Sequence, residues 1–284
     1  MTLSERNTFF RAGIAFCAVC TLLLLGASFL VIPLYQEAGS GMFFGMEEEL
    51  RRSTGIFQFL SGLFIGNDYF AVHVSLSALV LFSLVGIMLI HSYFERTSAP
   101  EIFYIAIFAI CFSFEAIRLV LPLHSIFNFS SFYMRVALRF LLFARFFSVF
   151  SLFAAGVCAA GLEVQKTRNV IFVMVLAALV ITLGVPIDVL NWDTSFNIVN
   201  GYSSMFTLIE LAAFFTAMIS FLIAAKTRGS KEYIHVAIGV LLVMVGRNIL
   251  LNTDNWIGPL PGIALLSIGT VFICSKLHKI HLWL

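Results

Sequence analysis

The sequence predicts an all-α, polytopic membrane helix bundle of eight transmembrane helices, and three observations lead to it. Of the 284 residues, 61% are hydrophobic and only 11% charged, whereas a soluble domain carries roughly 25% charged residues. Eight apolar stretches each approach or exceed the length of about 20 residues that a spanning helix needs. The Lys and Arg residues of the connections fall on alternate sides of those stretches, as short loops of a membrane protein require.

The stretches run over residues 12–35, 70–93, 101–123, 132–160, 169–190, 203–225, 233–251 and 257–275. Arg6 and Arg11, Arg96, Lys166 with Arg168, Lys226 with Arg228 and Lys231, and Lys276 with Lys279 collect on one side. Opposite them lie Glu47, Glu48 and Glu49 with Arg51 and Arg52, the stretch around Asp193, and Asp254. The basic side is cytoplasmic by the positive-inside rule, so both termini are expected inside, in the cytoplasmic (inner) membrane of a bacterium. The run from Ala12 to Tyr35 is longer than the apolar region of about 7–15 residues in a signal peptide and reads as a retained anchor.

Four regions follow. Residues 1–35 form the N-terminal anchor helix, 36–69 an extracytoplasmic loop, 70–275 a seven-helix bundle, and 276–284 a cytoplasmic interfacial tail with basic and aromatic residues. Within the loop the apolar run 55–66 is too short to cross and is expected to lie on the outer surface or over the bundle mouth. The remaining connections are too short for a soluble domain. A net charge of +2 without a Lys/Arg run argues against nucleic-acid binding.

Function is sought in the charged residues inside the apolar stretches, because burying charge in a bilayer is costly and such residues face a bundle interior or a wet cavity. Glu115, Arg118, Arg135, Arg139, Asp188, Glu210 and Arg247 are of this kind, and Asn248 adjoins the last. Glu115 and Arg118, at i and i+3, share one helix face; Arg135 and Arg139, at i and i+4, share another. Counted at about 1.5 Å per residue, they reach the outer half of the membrane. Asp188 follows Gly184-Val185-Pro186, where a kink is expected. Arg145 lies deeper and rotated away from Arg135 and Arg139. The cytoplasmic half holds only Arg145, His91 and a few Ser/Thr, which counts against a through-pore.

Three carboxylates thus meet four guanidiniums. The set is either a closed network that staples helices, or a polar pocket with a spare positive charge for a small anionic or zwitterionic ligand. Arg suits the second role because its planar fork binds carboxylate or phosphate through two hydrogen bonds. Proton or ion translocation is a third option. No cofactor is expected. Cys17-x-x-Cys20 reads as helix packing, His278-x-x-His281 lies too close-spaced for an i, i+4 metal pair, and neither a metalloprotease His/Glu pattern nor Gly-x-Ser-x-Gly occurs. Lys276 ends the last stretch, so a retinal Schiff base is not expected. The Phe-rich run that includes Phe140, Phe143, Phe146, Phe147, Phe150 and Phe153 is expected to face lipid or fill packing space.

Two segments carry a family pattern. A long apolar helix ends in His91-Ser-Tyr-Phe-Glu-Arg-Thr-Ser98 and turns into Glu101-Ile-Phe-Tyr-Ile-Ala-Ile-Phe108. Asn255-Trp-Ile-Gly-Pro-Leu-Pro-Gly262 leads into the last span. From the second span onward the chain resembles the membrane region of bacterial 7TM receptors with diverse intracellular signalling modules. That resemblance implies a ligand-responsive bundle. Members of that family usually carry a folded extracytoplasmic domain and a cytoplasmic output domain, where this chain has one anchor, a loop and a short tail. Output would then pass to a separate membrane or cytoplasmic signalling protein. The expected role is a non-enzymatic sensory module; a transporter of a small organic anion and a structural subunit of a membrane complex are the alternatives.

Overall fold

A computed structural model describes residues 3–38, 69–95, 99–161, 167–193, 195–200 and 203–282. The loop 36–69, with its 55–66 segment and acidic-basic patch, falls almost wholly outside the described residues. The helices are α1 (Leu3–Ala38), α2 (Tyr69–Phe94), α3 (Pro100–Cys111), α4 (Val120–Phe127), α5 (Ser131–Ala159), α6 (Thr167–Gly184), α7 (Ser203–Thr227), α8 (Glu232–Asn252) and α9 (Pro259–Leu282). A 3₁₀ segment, Phe112–Leu119, joins α3 to α4 as one rod. Among the described residues eight helical rods are long and apolar enough to cross a membrane, as the hydropathy pattern predicts. The chain is a multi-pass membrane protein.

The rod of α3 and the 3₁₀ segment is the axis of the bundle. Its apolar window is 72% buried, against 17% for α6 and 22% for α7, so α6 and α7 lie outermost and present apolar faces to lipid. Pro100 starts α3, where a missing N–H costs no helical hydrogen bond. The core gathers Tyr104, Phe108 and Phe112 from this rod with Val149 and Leu152 of α5 and Phe221 of α7.

α1 lies against α2 and the 3₁₀ segment. Phe10, Cys17, Leu24 and Val31 are buried at intervals of seven, with Thr21 and Ser28 filling the alternate positions. This is the 3.5-residue repeat of a coiled-coil seam. Cys17 is a packing residue, its Sγ 3.2 Å from Ser83 Oγ. Ser83 Oγ in turn lies 2.7 Å from Ser113 Oγ, and Ser28 Oγ 3.0 Å from His73 Nε2. Such interhelical hydroxyl contacts hold helices together where lipid removes the hydrophobic drive.

α8 and α9 form the closest helix pair. A Cβ on Gly246 would lie 2.5 Å from the Leu266 amide nitrogen and 2.8 Å from the Gly262 carbonyl. A Cβ on Gly239 would lie 3.1 Å from the Gly269 carbonyl. Glycines seven residues apart on each helix thus let two backbones touch, the small-residue packing of membrane helices.

Arg6 donates to the Phe94 carbonyl at the end of α2 (2.6 Å), and His281 near the end of α9 meets Glu101 at the start of α3. Both chain ends therefore lie at one end of the bundle, as an even number of spans requires. Residues 276–282, expected as a tail, continue α9, with Leu277 buried and Lys276 and Lys279 paired to Glu232 at 3.0 and 2.6 Å.

The fifth stretch departs from expectation. It does not run helical to 190. α6 stops at Gly184, and after Val185-Pro186 the chain forms strand β1 (Ile187–Trp192), paired antiparallel with β2 (Ile198–Asn200). Proline lacks the N–H that would continue the helix and pushes the preceding residue towards extended backbone. The stop at 186 is thus complete, and Asp188 belongs to a strand rather than to a kinked helix.

Candidate functional site

In a 3₁₀ helix residues i and i+3 eclipse. Phe112, Glu115 and Arg118 therefore stack on one buried face of the 3₁₀ segment, which an α-helix would spread over a wider arc. Eight residues is long for this geometry, and a 3₁₀ stretch inside a helix often marks a functional hinge.

Glu115 is the acidic centre. Arg145 grips it with two hydrogen bonds, Nε to Oε1 and Nη2 to Oε2, both 2.7 Å. Arg118 approaches the same carboxylate at 3.6 Å and donates to the carbonyl of Ser195. Arg145 Nη2 also donates to Asn197 Oδ1 at 2.8 Å. Asn197 Nδ2 is shared between the Leu251 carbonyl at 2.8 Å and Ser195 Oγ at 3.0 Å. A second pair lies nearby: Arg247 meets Glu210 through two 3.3 Å contacts and stands over the Phe214 ring at 5.6 Å. The two groups are close enough for their charges to interact, Arg247 with Glu115 and Glu210 with Arg145.

Of the residues singled out from sequence, Glu115, Arg118, Glu210 and Arg247 are brought together. Arg135, Arg139 and Asn248 are not, and the Asp188 side chain lies outside the described residues. Arg139 turns to the last turn of α6 and donates to the carbonyls of Thr182 (2.9 Å) and Leu183 (3.2 Å), groups that a helix end leaves without partners. Arg135 is exposed. Asn248 is exposed and accepts a hydrogen bond from Asn252 at 2.7 Å. Asp188 sits in β1.

Arg145 is the main correction. The sequence reading sets it apart as too deep, yet it is the principal partner of Glu115. α5 has 29 residues, about 43 Å at 1.5 Å per residue, against a hydrocarbon core of about 30 Å. A helix of that length need not start at the edge of the apolar layer, so depth cannot be counted from its first residue: Arg135 is exposed, Arg139 reaches the end of α6 and Arg145 meets Glu115. The length of the apolar run held that signal. Ser195 and Asn197 were also missed. They lie on a connection, and nothing local marks them as reaching the bundle.

A second charged group, centred on one buried carboxylate, lies at the end that holds the termini. Glu101 is fully buried, 3.2 Å from His281 Nε2 and 3.7 Å from Arg228 Nη1. Arg228 also donates to the Tyr233 hydroxyl (3.1 Å) and the Cys158 carbonyl (3.3 Å). The half of the bundle read as nearly empty of charge thus holds this cluster. An acid in the first turn of a helix is ordinary, so only its burial distinguishes Glu101. His278 turns instead to the rings of Phe94 and Tyr93, at 5.4 and 6.1 Å. Among the described residues no three His, Cys, Asp or Glu side chains are grouped to hold a metal ion.

The cluster can hold an anion. Three guanidiniums, those of buried Arg118 and Arg247 and of half-buried Arg145, face the carboxylates of Glu115 and Glu210, with the exposed Asp193 near enough to Arg118 for their charges to interact. Arg118 carries the excess among the buried groups: its one salt bridge among the described residues is a share of Glu115, and its buried Nε has no hydrogen-bond partner there. The spare positive charge expected from the sequence thus falls on Arg118.

Comparison with known proteins gives one similarity and no family. The chain is similar to an uncharacterized protein of Treponema pallidum (strain Nichols), 23% identical over 239 residues that cover 67% of this chain and 69% of that protein. No family model matches the chain, and no solved structure matches it significantly.

Proposed function

We propose that this protein is a non-enzymatic sensory module of a bacterial cytoplasmic membrane, with both termini inside. It binds a small anionic or zwitterionic ligand at the Glu115–Arg118–Arg145 cluster and signals through a separate membrane or cytoplasmic protein. The observation that carries this reading is the charge excess at Arg118, whose buried guanidinium shares its one buried carboxylate with Arg145. A network evolved only to staple helices gains nothing from a fully buried cation that has only a share of one buried carboxylate, because an uncompensated buried charge is strongly destabilising. The sensory assignment also draws on the resemblance to 7TM receptor membrane regions, and the basic residues at the end of the bundle that holds the termini support the orientation.

Transport of a small organic anion is the second reading, favoured by buried Glu101 and its partners Arg228 and His281 at the opposite end of the same central span.

Thermal denaturation of the purified protein in detergent, with a panel of small carboxylates and phosphates, tests binding. A ligand at a hundredfold excess over Kd stabilises by about 2.7 kcal/mol, and Arg118→Gln is expected to abolish the shift. A panel without a single shift overturns the binding reading in favour of a structural subunit. Uptake of the stabilising anion into proteoliposomes would turn the assignment to transport.

A further inference from the structure

The partners that satisfy Arg118 and Arg145 beyond Glu115 come from one short piece of chain between β1 and β2. Ser195 and Phe196 are buried, although connections normally run over the surface. The Ser195 carbonyl accepts from Arg118, and the Asn197 carboxamide oxygen accepts from Arg145 at 2.8 Å. Between them the Phe196 side chain packs with Val72, Leu121, Met134 and Leu138, a small apolar cluster separate from the main core. Asp193, just before, is exposed and near enough to Arg118 for their charges to interact.

Two features say that this arrangement is held rather than relaxed. Phe196 has φ +55°, the left-handed region that a bulky side chain occupies only at a cost and that clusters at ligand clamps and switches. Its neighbours also offer the guanidiniums neutral acceptors, a carbonyl and a carboxamide. A carboxylate makes hydrogen bonds roughly twice as strong to the same donors.

We propose that residues 195–197 are an intramolecular stand-in for the ligand, and that the ligand is a small carboxylate bearing one large apolar group, which displaces them. The carboxylate takes the acceptor positions of Ser195 and Asn197 on Arg118 and Arg145. The apolar group takes the place of the Phe196 ring. Expulsion releases the left-handed backbone at Phe196 and frees the Leu251 carbonyl at the end of α8, so occupancy is reported to α8 as well as to the β1–β2 connection. This rests on the anion-binding reading above and adds to it the ligand class and the moving part.

Hydrogen–deuterium exchange of the native chain in detergent tests it, with N-acetylphenylalanine as probe and its uncharged amide and acetate as controls. The Phe196 amide bonds to the Asp193 carbonyl (3.0 Å) and the Asp193 amide to the Asn197 carbonyl (2.7 Å), so expulsion must expose both. N-acetylphenylalanine is expected to speed exchange over 193–200 at least fivefold and to raise the melting temperature. The amide, which lacks the charge, and acetate, which lacks the group that replaces the Phe196 ring, should do neither, and Arg118→Gln should lose both responses. Without any probe, Asn197→Ala should speed exchange of the same segment several-fold, because it loses the bonds to Arg145 and Leu251. A carboxylate that stabilises the protein while slowing exchange there, or leaving it unchanged, overturns the stand-in and leaves anion binding intact. Unchanged exchange in Asn197→Ala also overturns it. If no carboxylate moves either measurement, this inference falls together with the reading beneath it.

Discussion

At the scale of single residues, the molecule is governed by how few acceptors meet its buried cations. Glu115 is held by both hydrogen bonds of the Arg145 fork at 2.7 Å and by Arg118 at 3.6 Å. Removing one partner of such a pair strands the other and typically costs about 3–5 kcal/mol. Arg145→Ala is therefore expected to lower the melting temperature in detergent sharply. Arg135→Ala, at an exposed position of the same helix, should change stability by no more than about 0.5 kcal/mol. Equal melting temperatures for the two would show that Arg145 is not held in a buried pair. Because Glu115 and Arg145 touch, Glu115→Ala combined with Arg145→Ala should destabilise less than the sum of the two single changes. Helix counting identified Glu115, Arg118, Glu210 and Arg247 as a group because each lies inside an apolar stretch, and a bilayer tolerates charge there only when it turns inward. It misjudged Arg135, Arg139 and Arg145 because depth depends on how far a helix overhangs the membrane, which its neighbours decide.

Two elements do unusual work, the 3₁₀ segment and the α8–α9 pair. The 3₁₀ segment stacks Phe112, Glu115 and Arg118 on one face, and the i, i+3 spacing in the sequence allowed that contact without requiring this helix type. The glycines of α8 and α9 could be counted in the sequence, but their pairing could not. Gly239 faces Gly269 and Gly246 faces Gly262 only because the antiparallel register brings them level. A methyl group on Gly246 would strike backbone atoms that no rotamer change can move, and overpacking of this kind costs about 1–3 kcal/mol. Gly246→Ala should accordingly lower the melting temperature. Gly26→Ala in α1, where an added Cβ meets nothing within 4 Å, should raise it slightly, since alanine is the better helix former by up to about 1 kcal/mol. The reverse order would contradict the close crossing.

For the whole molecule, eight spans and the grouping of both chain ends leave one binary choice, which end faces the cytoplasm. Arg6, Arg168, Arg228 and Lys276 all belong to the end with the termini, and by the positive-inside rule we propose that this end faces the cytoplasm. Cysteines introduced singly at Asp193 and Arg168, both exposed, in a background lacking the native cysteines, should behave oppositely in intact cells. The first is expected to label with an impermeant thiol reagent and the second only after lysis. The opposite pattern would invert the topology and move the Arg118 cluster to the inner face.

The sequence by itself determined that this chain is a multi-pass membrane protein with eight apolar helices, because bilayer thickness imposes a length and composition that can be counted residue by residue. It also determined which charged residues had to be explained, since burial of charge is improbable without a partner. Only the tertiary structure decided who those partners are. Arg145 rather than Arg139 grips Glu115, because the packing of α5 against the 3₁₀ segment sets which of its turns meets the carboxylate. Ser195 and Asn197 supply the missing acceptors, because a proline at 186 ends α6 and returns the chain as a hairpin into the bundle. Glu101 is buried because the last turn of α9 covers it. Each of these is a contact between segments distant in sequence, and local periodicity carries no record of which distant segments meet.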